Sequence, residues 1–395
     1  MTIPNTLLLV LALFLSIPSY AQPRNEWVVV LEDPRPARLQ GWQRNDYGSG
    51  NQYDHTLALK RVGKKLAKKH ALSVSDEWFI GSLGVYCLIV RMDREQKATM
   101  DALNADKLVK WVQPSNRFYL LQSPDSKNSN SAFLNPPELR LPQNINGHGT
   151  VVALIDSAVD DEHPDIIKGI EKNIDFVDAD GKRSRGEEHG TAIASIIVGD
   201  RESELGVTGI ASGAKLNVFR GCWETSDDAG ALGPNCSTLS LALALDAVAK
   251  SNSDILNLSL SGPKDKMLDE LITKVIAGGT RVVTAFDPNR RADDRFPSTK
   301  PGLVTVQAGS LAGSDPDVLS APGSRVVASP GRRANLMHGH SIATAYTTGV
   351  LALCVQIENQ LGKNICSQER IERLEERSID KLISKLEQEL KLVQP

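Results

Sequence analysis

The sequence predicts an α/β fold: a mostly parallel sheet with helices on both faces, preceded by a smaller α+β domain. With 395 residues, the chain is longer than a single hydrophobic core usually supports. Its composition, 41% hydrophobic and 24% charged, is that of an ordinary globular protein. From Gly147 onward, continuously apolar strands alternate with helices, a pattern typical of a parallel sheet covered on both faces.

The first unit spans residues 26–121 and has the predicted order β-α-β-β-α-β. Its strands are EWVVVLED, EWFIGSL, GVYCLIVRM and KLVKWVQP, with NRFYLL closing the unit. Its helices are DHTLALKRVGKKLAKKHAL and REQKATMDALNA. This order predicts a ferredoxin-like fold, with both helices on one face of a small antiparallel sheet. Residues 123–144 form a linker, of which residues 123–138 are polar and contain proline.

The second unit spans residues 145–365. Its strands include TVVALID, KLNVFRG, DILNLSL and RVVTAF, and SIATAYTTGVLALCVQIENQ is predicted to be a long buried helix. Residues 366–395 form a highly charged tail with apolar residues at helical spacing, which predicts a pair of surface-packed helices.

Residues 1–21 resemble a signal peptide. The apolar stretch from Leu7 to Ile17 is too short to span a bilayer and precedes the small-residue cleavage pattern Ser19-Tyr20-Ala21. No Lys or Arg precedes it, and an uncleaved anchor is the alternative. We expect a secreted or periplasmic protein without stable membrane insertion.

The charge is unevenly distributed along the chain. The net charge of −3 argues against a dedicated nucleic-acid binder. Residues 22–121 carry 16 Lys and Arg against 11 Asp and Glu, whereas residues 122–395 carry 29 against 37. The two units could therefore attract one another, although solvated surfaces that merely differ are the alternative. Five lysines on one helix are candidates for such docking: Lys60, Lys64, Lys65, Lys68 and Lys69.

Five cysteines fit an oxidising compartment. Cys222 and Cys236 enclose a short polar loop, and Cys354 and Cys366 enclose a helix end with the turn after it. We therefore expect the pairs Cys222–Cys236 and Cys354–Cys366. Cys87 lies in the apolar run GVYCLIV and is expected to be a buried free thiol.

Three polar residues begin or end predicted elements in a suggestive order. Asp156 ends the apolar strand TVVALID, His189 opens the helix HGTAIASIIVG, and Ser341 opens the long buried helix. In open α/β sheets, reactive groups gather at the carboxyl ends of the strands. A serine nucleophile needs a general base beside it and a carboxylate that orients the base. Taken singly, each residue could be only a turn or a cap; the set predicts a catalytic triad.

At these residues the sequence resembles the subtilisin-like serine peptidases. VVALIDSAVDDEHPDI is similar to the family's Asp motif, HGTAIASIIVG to its His motif and GHSIATAYTTGVLAL to its Ser motif. The chain order Asp, His, Ser also agrees with that of subtilisin. The resemblance covers roughly residues 145–365, and residues 22–122 resemble the family's inhibitory propeptides.

The resemblance implies a serine endopeptidase that hydrolyses polypeptides. Ser341 would be the nucleophile, His189 the general base and acid, and Asp156 the residue that orients His189. Ser259, Leu260 and Ser261 would line the specificity pocket and pair with the substrate backbone as a strand, although Leu260 could equally be core. The propeptide would act as an intramolecular inhibitor, released by cleavage near Leu121.

The oxyanion hole is expected to use the backbone N–H of Ser341 and one side-chain amide. In the family this amide belongs to an Asn that ends a Val-Val-x-Ala-x-x-Gly-Asn run. VVTAFDPN places Asn289 there without a gap, with Pro288 in place of Gly. A shifted alignment would instead offer Pro288, which has no donor, or Asp287, which could donate only if protonated.

Other histidines are weaker candidates. His148 also precedes Gly-Thr, but it leads straight into a strand and is expected to be a turn residue. His338 and His340 flank the Ser motif, where we expect loop or cap roles. His340 replaces the family's usual Thr, and Ala345 its usual Pro. These departures leave one alternative, a secreted pseudopeptidase with a binding or structural role.

No cofactor and no metal site are predicted. Asp175, Asp178 and Asp180 cluster in DFVDADG, and members of the family often bind calcium. The run lacks an EF-hand Glu, so a solvated acidic turn is the expectation.

Overall fold

The computed structural model describes residues 26–31, 49–92, 97–121, 139, 141–177, 186–226, 232–309, 317–374 and 377–391. The predicted signal peptide and residues 123–138 of the predicted linker lie outside the described residues. Two structural units follow one another along the chain.

The first unit is a four-stranded antiparallel sheet with two helices. Its strands are β1 (Glu26–Leu31), β2 (Ser73–Ile80), β3 (Val85–Arg91) and β4 (Val109–Pro114); its helices are α1 (Ser49–Lys69) and α2 (Lys97–Asn104). The sheet order β2-β3-β1-β4 and the chain order are those of the predicted ferredoxin-like fold. We call this unit the small domain.

Alternation along β1 gives the small domain two apolar faces. Val29 and Leu31 pack with Leu59 and Leu66 of α1, whereas Val28 and Val30 belong to a different cluster on the opposite face. The lysine-rich helix therefore covers one face of the sheet and leaves the other free for a partner.

The second unit is built on a seven-stranded sheet in which all strands are parallel. In spatial order its strands are β15 (Val318–Ala321), β14 (Leu303–Ala308), β13 (Arg281–Ala285), β11 (Ile255–Leu258), β6 (Val151–Asp156), β8 (Lys215–Arg220) and β7 (Ile170–Asp175). We call this unit the large domain.

Helices cover both faces of the large sheet, as its apolar strands predict. Val152 and Leu154 of β6 pack with α3 (Glu188–Val198) and α6 (His340–Leu361). Ala153 and Ile155 point the other way, toward α4 (Thr238–Ala249) and α5 (Lys266–Ala277). Within the described residues α6 alone is long and apolar enough to cross a membrane, and nearly all of it is buried inside the fold.

The charged tail belongs to the large domain. It forms two helices, α7 (Gln368–Glu372) and α8 (Ile379–Lys391), as predicted. Ile379, Leu382 and Leu386 of α8 are buried in the same cluster as α6. This amphipathic helix therefore contributes to the core of the large domain.

Both predicted disulfides are present, Cys222–Cys236 and Cys354–Cys366, and Cys87 is a buried free thiol. Cys222 and Cys236 join β9 (Cys222–Ser226) to β10 (Leu232–Ser237), which pair as an antiparallel hairpin.

Strand β5 (Arg117–Leu120) differs from the prediction. We expected NRFYLL to close the small domain. Instead β5 lies between β10 and β12 (Leu260–Ser261) in a second sheet, ordered β12-β5-β10-β9. The chain turns away from the small domain after β4 because the large domain supplies two open strand edges that bind β5 on both sides.

The small domain docks on α4 and α5 through its sheet. Trp78, Ile80 and Trp111 join one buried cluster with Leu241 and Leu268 of these helices. The docking therefore excludes water from large apolar side chains on both units.

Carboxylates of the large domain complete the docking face. Asp246 accepts hydrogen bonds from the backbone N–H groups of Gly81 (3.3 Å) and Ser82 (2.7 Å). Asp265 accepts from the side-chain amides of Gln113 (2.7 Å) and Asn116 (3.0 Å). The small domain contributes uncharged donors here, so docking through the lysines of α1 was a wrong expectation.

Candidate active site

Asp156 and His189 form a buried pair at the carboxyl edge of the large sheet. Asp156 ends β6, and His189 lies in the first turn of α3. His189 Nδ1 lies 2.7 Å from Asp156 Oδ1, which also accepts the backbone N–H of Ser157 at 2.7 Å. Both side chains are fully buried. With the carboxylate accepting from Nδ1–H, the lone pair of a neutral imidazole lies on Nε2.

The beginning of α3 lies unusually close to the end of β6. A Cβ atom on Gly190 would come within 2.3 Å of the Ser157 carbonyl oxygen, so only glycine fits directly after His189. The glycine of the His motif therefore has a packing reason: it lets the helix approach closely enough for His189 to reach Asp156.

Glu224 supports the same helix and was not anticipated from the sequence. Its carboxylate accepts the backbone N–H groups of His189 (2.7 Å) and Glu188 (3.2 Å), two of the unpaired donors at a helix N-terminus. Burial, together with the nearby charge of Glu187, raises the pKa of Glu224, opposed by these hydrogen bonds. Glu224 lies two residues after Cys222, so the disulfide hairpin holds it in place.

Ser341 lies at the start of α6 and contacts residue 121 of the same chain. Its backbone N–H donates to the Leu121 carbonyl oxygen at 3.2 Å. Its hydroxyl lies 3.0 Å from the same oxygen and 3.1 Å from the Ser259 carbonyl oxygen. His189 Nε2 is buried without a hydrogen-bond partner, so the structure forms the Asp156–His189 contact and not a Ser341–His189 hydrogen bond.

Residues 117–121 run through the site in the manner of a bound peptide. The backbone N–H of Leu121 donates to the Ser259 carbonyl at 3.2 Å. Leu120 and Tyr119 pair with Leu260 and Ser261 in antiparallel register. The three predicted substrate-binding residues thus lie beside a peptide strand, and that strand comes from the chain itself.

Two side chains of β5, Phe118 and Tyr119, contact residues of the large domain. Phe118 packs edge-on against Phe296, with ring centroids 5.3 Å apart, and a Cβ on Gly262 would come within 2.2 Å of its ring. The Tyr119 hydroxyl donates to Asp287 Oδ2 at 2.6 Å and accepts from Arg290 Nε at 3.1 Å. Burial and the bond to Asp287 raise the pKa of Tyr119, which keeps this hydroxyl protonated.

Asn289, the predicted oxyanion donor, does not contact the Leu121 carbonyl oxygen in the structure. Asn289 is exposed, and its backbone N–H donates to Asp287 Oδ1 at 3.0 Å. Asp287 is fully buried and accepts hydrogen bonds on both oxygens, so it is not a donor either. In this part of the described chain only Ser341 N–H and Oγ–H contact the Leu121 oxygen. Pro288 fixes its φ angle where the family has a freely turning Gly, and Asn289 then points outward.

Of the three other histidines considered from the sequence, His148 lies in a turn and His340 at a helix start, whereas His338 ends a strand (Arg333–His338) and does not lie in a loop. His148 is an exposed turn residue before β6. His338 Nδ1 lies 2.6 Å from the Ser324 hydroxyl. His340 Nδ1 accepts the backbone N–H of Ala308 at 3.0 Å, and burial lowers the pKa of His340.

Two groups of potential metal ligands have other partners. Asp175 pairs with Arg220 at 2.9 Å, while Asp178 and Asp180 lie outside the described residues. Cys354, Glu358 and Cys366 lie close together, but the two sulfurs form a disulfide. Glu358 accepts from Arg281 and from the backbone of residues 365 and 366.

A parallel α/β domain with an Asp–His pair and a serine at its carboxyl edge defines the class of serine hydrolases with an Asp–His–Ser set. Residues 147–390 match the sequence model of the Subtilase family. The chain therefore belongs to the subtilase family, whose members are serine endopeptidases. The match extends to residue 390 and so includes the tail helices.

Three known proteins illustrate the relationship. The thermophilic serine proteinase of Bacillus sp. (strain AK1) is 28% identical over 294 residues, covering 70% of both chains. Subtilisin E of Bacillus subtilis is 28% identical over 227 residues, covering 53% of this chain and 56% of subtilisin E. Fervidolysin from Fervidobacterium pennivorans, a keratinolytic enzyme related to subtilisin, shares the fold with a TM-score of 0.58 at 18% identity. The likeness covers 85% of this chain and 55% of fervidolysin.

Proposed function

We propose that this protein is a secreted serine endopeptidase, made in an autoinhibited form, with Ser341 as nucleophile. The observation that carries the proposal is the position of the Leu121 carbonyl. Its oxygen meets both the N–H and the hydroxyl of Ser341, while the preceding residues pair with Leu260 and Ser261 as a strand. The Leu121 carbonyl group is thus held beside Ser341 with an N–H donor at its oxygen, as we expect for a peptide bond that the serine is to attack.

The proposed reaction uses the contact between His189 and Asp156. His189 Nε2 takes the proton of the Ser341 hydroxyl as Oγ bonds to the carbonyl carbon. Asp156 holds Nδ1–H and stabilises the imidazolium that forms. His189 then returns the proton to the leaving amine, which leaves an acyl-enzyme on Ser341 that water hydrolyses. The Ser341 hydroxyl has to turn from Leu121 O and Ser259 O toward His189 before this step.

The negative charge of the tetrahedral intermediate falls on the former carbonyl oxygen. The N–H of Ser341 already donates to this oxygen and lies in the first turn of α6, where unpaired N–H groups favour negative charge. All groups in this scheme belong to the chain itself, so we propose that catalysis needs no metal or cofactor.

The autoinhibition rests on the small domain and on β5. The small domain, docked on α4 and α5, delivers β5 into the site, so other polypeptides cannot enter while β5 remains there. We propose that the chain cuts itself after Leu121 and that residues 22–121 then act as a dissociable inhibitor. Secretion rests on residues 1–21, which have the pattern of a signal peptide.

A fluorophosphonate probe, which reacts with activated serines, tests the proposal. We expect the purified protein to be labelled and Ser341→Ala and His189→Ala to remain unlabelled. His148→Ala is the matched control, since it removes an exposed histidine from the other His-Gly-Thr sequence, and it should be labelled normally. A protein that is folded, free of β5 and still unlabelled would instead be a pseudopeptidase.

A further inference from the structure

The side chain of Tyr119 is bound by residues outside the triad. Tyr119 is the third residue counted back from the carbonyl at Ser341, and its backbone pairs with Ser261 on one side and Asn235 on the other. Its side chain reaches the loop after β13, where the hydroxyl lies between Asp287 and Arg290.

Asp287 accepts the hydrogen bond of the Tyr119 hydroxyl. It is fully buried, and its Oδ1 is already occupied by the backbone N–H of Asn289. The Tyr119 hydroxyl supplies the partner of Oδ2, at 2.6 Å. Because a buried carboxylate oxygen is costly to leave without a donor, a residue lacking the hydroxyl would bind less well here.

Arg290 holds the phenol from the other side. Its guanidinium lies 5.8 Å from the centre of the Tyr119 ring, and its Nε donates to the phenol oxygen. Its Nη1 pairs with Asp294 at 3.2 Å, which fixes the guanidinium from behind. The Tyr119 side chain is therefore contacted in three ways: its hydroxyl donates to Asp287 and accepts from Arg290, and its ring lies beside the Arg290 guanidinium.

We propose that Asp287 and Arg290 form a subsite that selects tyrosine at the third residue before the cleaved bond. The subsite extends the proposed function and rests on it, since β5 is taken to occupy the site as a substrate does. Substrates are then polypeptides with Tyr at this position and, as in β5, an apolar residue before the cleaved bond. Phenylalanine should fit the space without filling the hydrogen bonds.

The test compares two internally quenched peptides that differ by one oxygen atom, containing Phe-Tyr-Leu-Leu or Phe-Phe-Leu-Leu before the cleavable bond. The enzyme is produced from the full chain, and its active serines are counted with the fluorophosphonate probe. We expect kcat/KM to be roughly ten- to a hundredfold higher for the tyrosine peptide, the range for a hydrogen bond to a charged group.

Variants of Asp287 and Arg290 then test whether these two residues cause the preference for tyrosine. Asp287→Ala and Arg290→Ala should each reduce the tyrosine preference, Asp287→Ala to near unity. Arg291→Ala is the matched control, because the Arg291 side chain is 84% exposed and pairs with Asp293, and it should keep the preference. The wild-type comparison stands even if a variant fails to fold.

The outcomes separate this inference from the proposed function. Equal cleavage of both peptides by wild type would overturn the tyrosine subsite and leave the peptidase intact. A tyrosine preference that persists in folded Asp287→Ala and Arg290→Ala would overturn the assignment to these residues. Absence of labelling and of any cleavage would overturn the proposed function itself.

Discussion

The carbonyl oxygen of Leu121 lies 3.2 Å from the backbone nitrogen of Ser341 and 3.0 Å from its hydroxyl oxygen. These residues are 220 positions apart in the sequence. Strand β5, which follows the small domain in the chain, thus crosses the site between β10 and β12 and places one peptide bond at Ser341.

Docking through apolar side chains predicts which changes release the small domain. Trp111 is buried at the docking face, its Nε1–H donates to Gln113 at 2.9 Å, and Lys266 of α5 lies 4.4 Å from its ring. Trp111→Ala should weaken binding of the cleaved small domain by about 2 kcal/mol or more, roughly thirtyfold. The measurement is the inhibition constant of the small domain, which we propose is released by self-cleavage.

The lysines of α1 provide the control for this prediction. Lys64, Lys65 and Lys68 are exposed on the helix that faces away from α4 and α5. Replacing all three with Gln should leave the inhibition constant unchanged, and raising the salt concentration should change it little. A strong loss of inhibition in the lysine variant would restore the charge-driven docking that the sequence suggested.

The contacts of Asp106 predict that the small domain loses stability in acid. Hydrogen bonds from His70 (2.9 Å) and Lys69 (2.7 Å) lower the pKa of this carboxyl well below its ordinary value of 3.8. A lowered folded-state pKa gives stability that is present above the unfolded value and lost as the pH falls toward the folded value. In the Ser341→Ala background, Asp106→Asn should therefore lower the Tm of the small domain near neutral pH. This difference should shrink below about pH 3.8; one that stays constant down to pH 2 would contradict the ion pair.

The exposed position of Asn289 gives a third prediction. If Ser341 N–H is the main oxyanion donor, Asn289→Ala should cleave peptides at close to the wild-type kcat. Removal of a functioning oxyanion donor costs roughly 10²–10³-fold in kcat. A loss of that size would mean that Asn289 turns inward during the reaction, as the family pattern suggests.

Much of this architecture could be predicted because the determining patterns are local. Continuous apolar strands such as Val151–Asp156 indicated a buried parallel sheet, and strand ends and helix starts located Asp156, His189 and Ser341. The disulfides followed from short loops that could close.

Features that depend on partners distant in sequence could not be predicted. Nothing within Arg117–Leu120 indicates that its edges pair with residues 232–237 and 260–261 rather than with the small domain. The lysines of α1 suggested docking through charge, but α1 lies on the face of the small sheet opposite the large domain. The alternation along β1 shows that the sheet has two apolar faces, but it does not show which face binds the helices and which binds the large domain. Glu224 lies in the hairpin strand β9 and Asp287 in the loop after β13. The sequence alone does not show that Glu224 accepts from the backbone of His189 or that Asp287 accepts from Tyr119.

The most direct test of the central claim is the N-terminal sequence of the purified protein. The Leu121 carbonyl lies at Ser341 in the intact chain, so wild type should cut itself there and yield a large domain that begins at Gln122. Ser341→Ala, expressed and purified identically, should keep residues 22–121 attached. Removal of these residues from both proteins alike, or a wild-type N-terminus far from Gln122, would contradict the claim that Ser341 attacks the bond after Leu121.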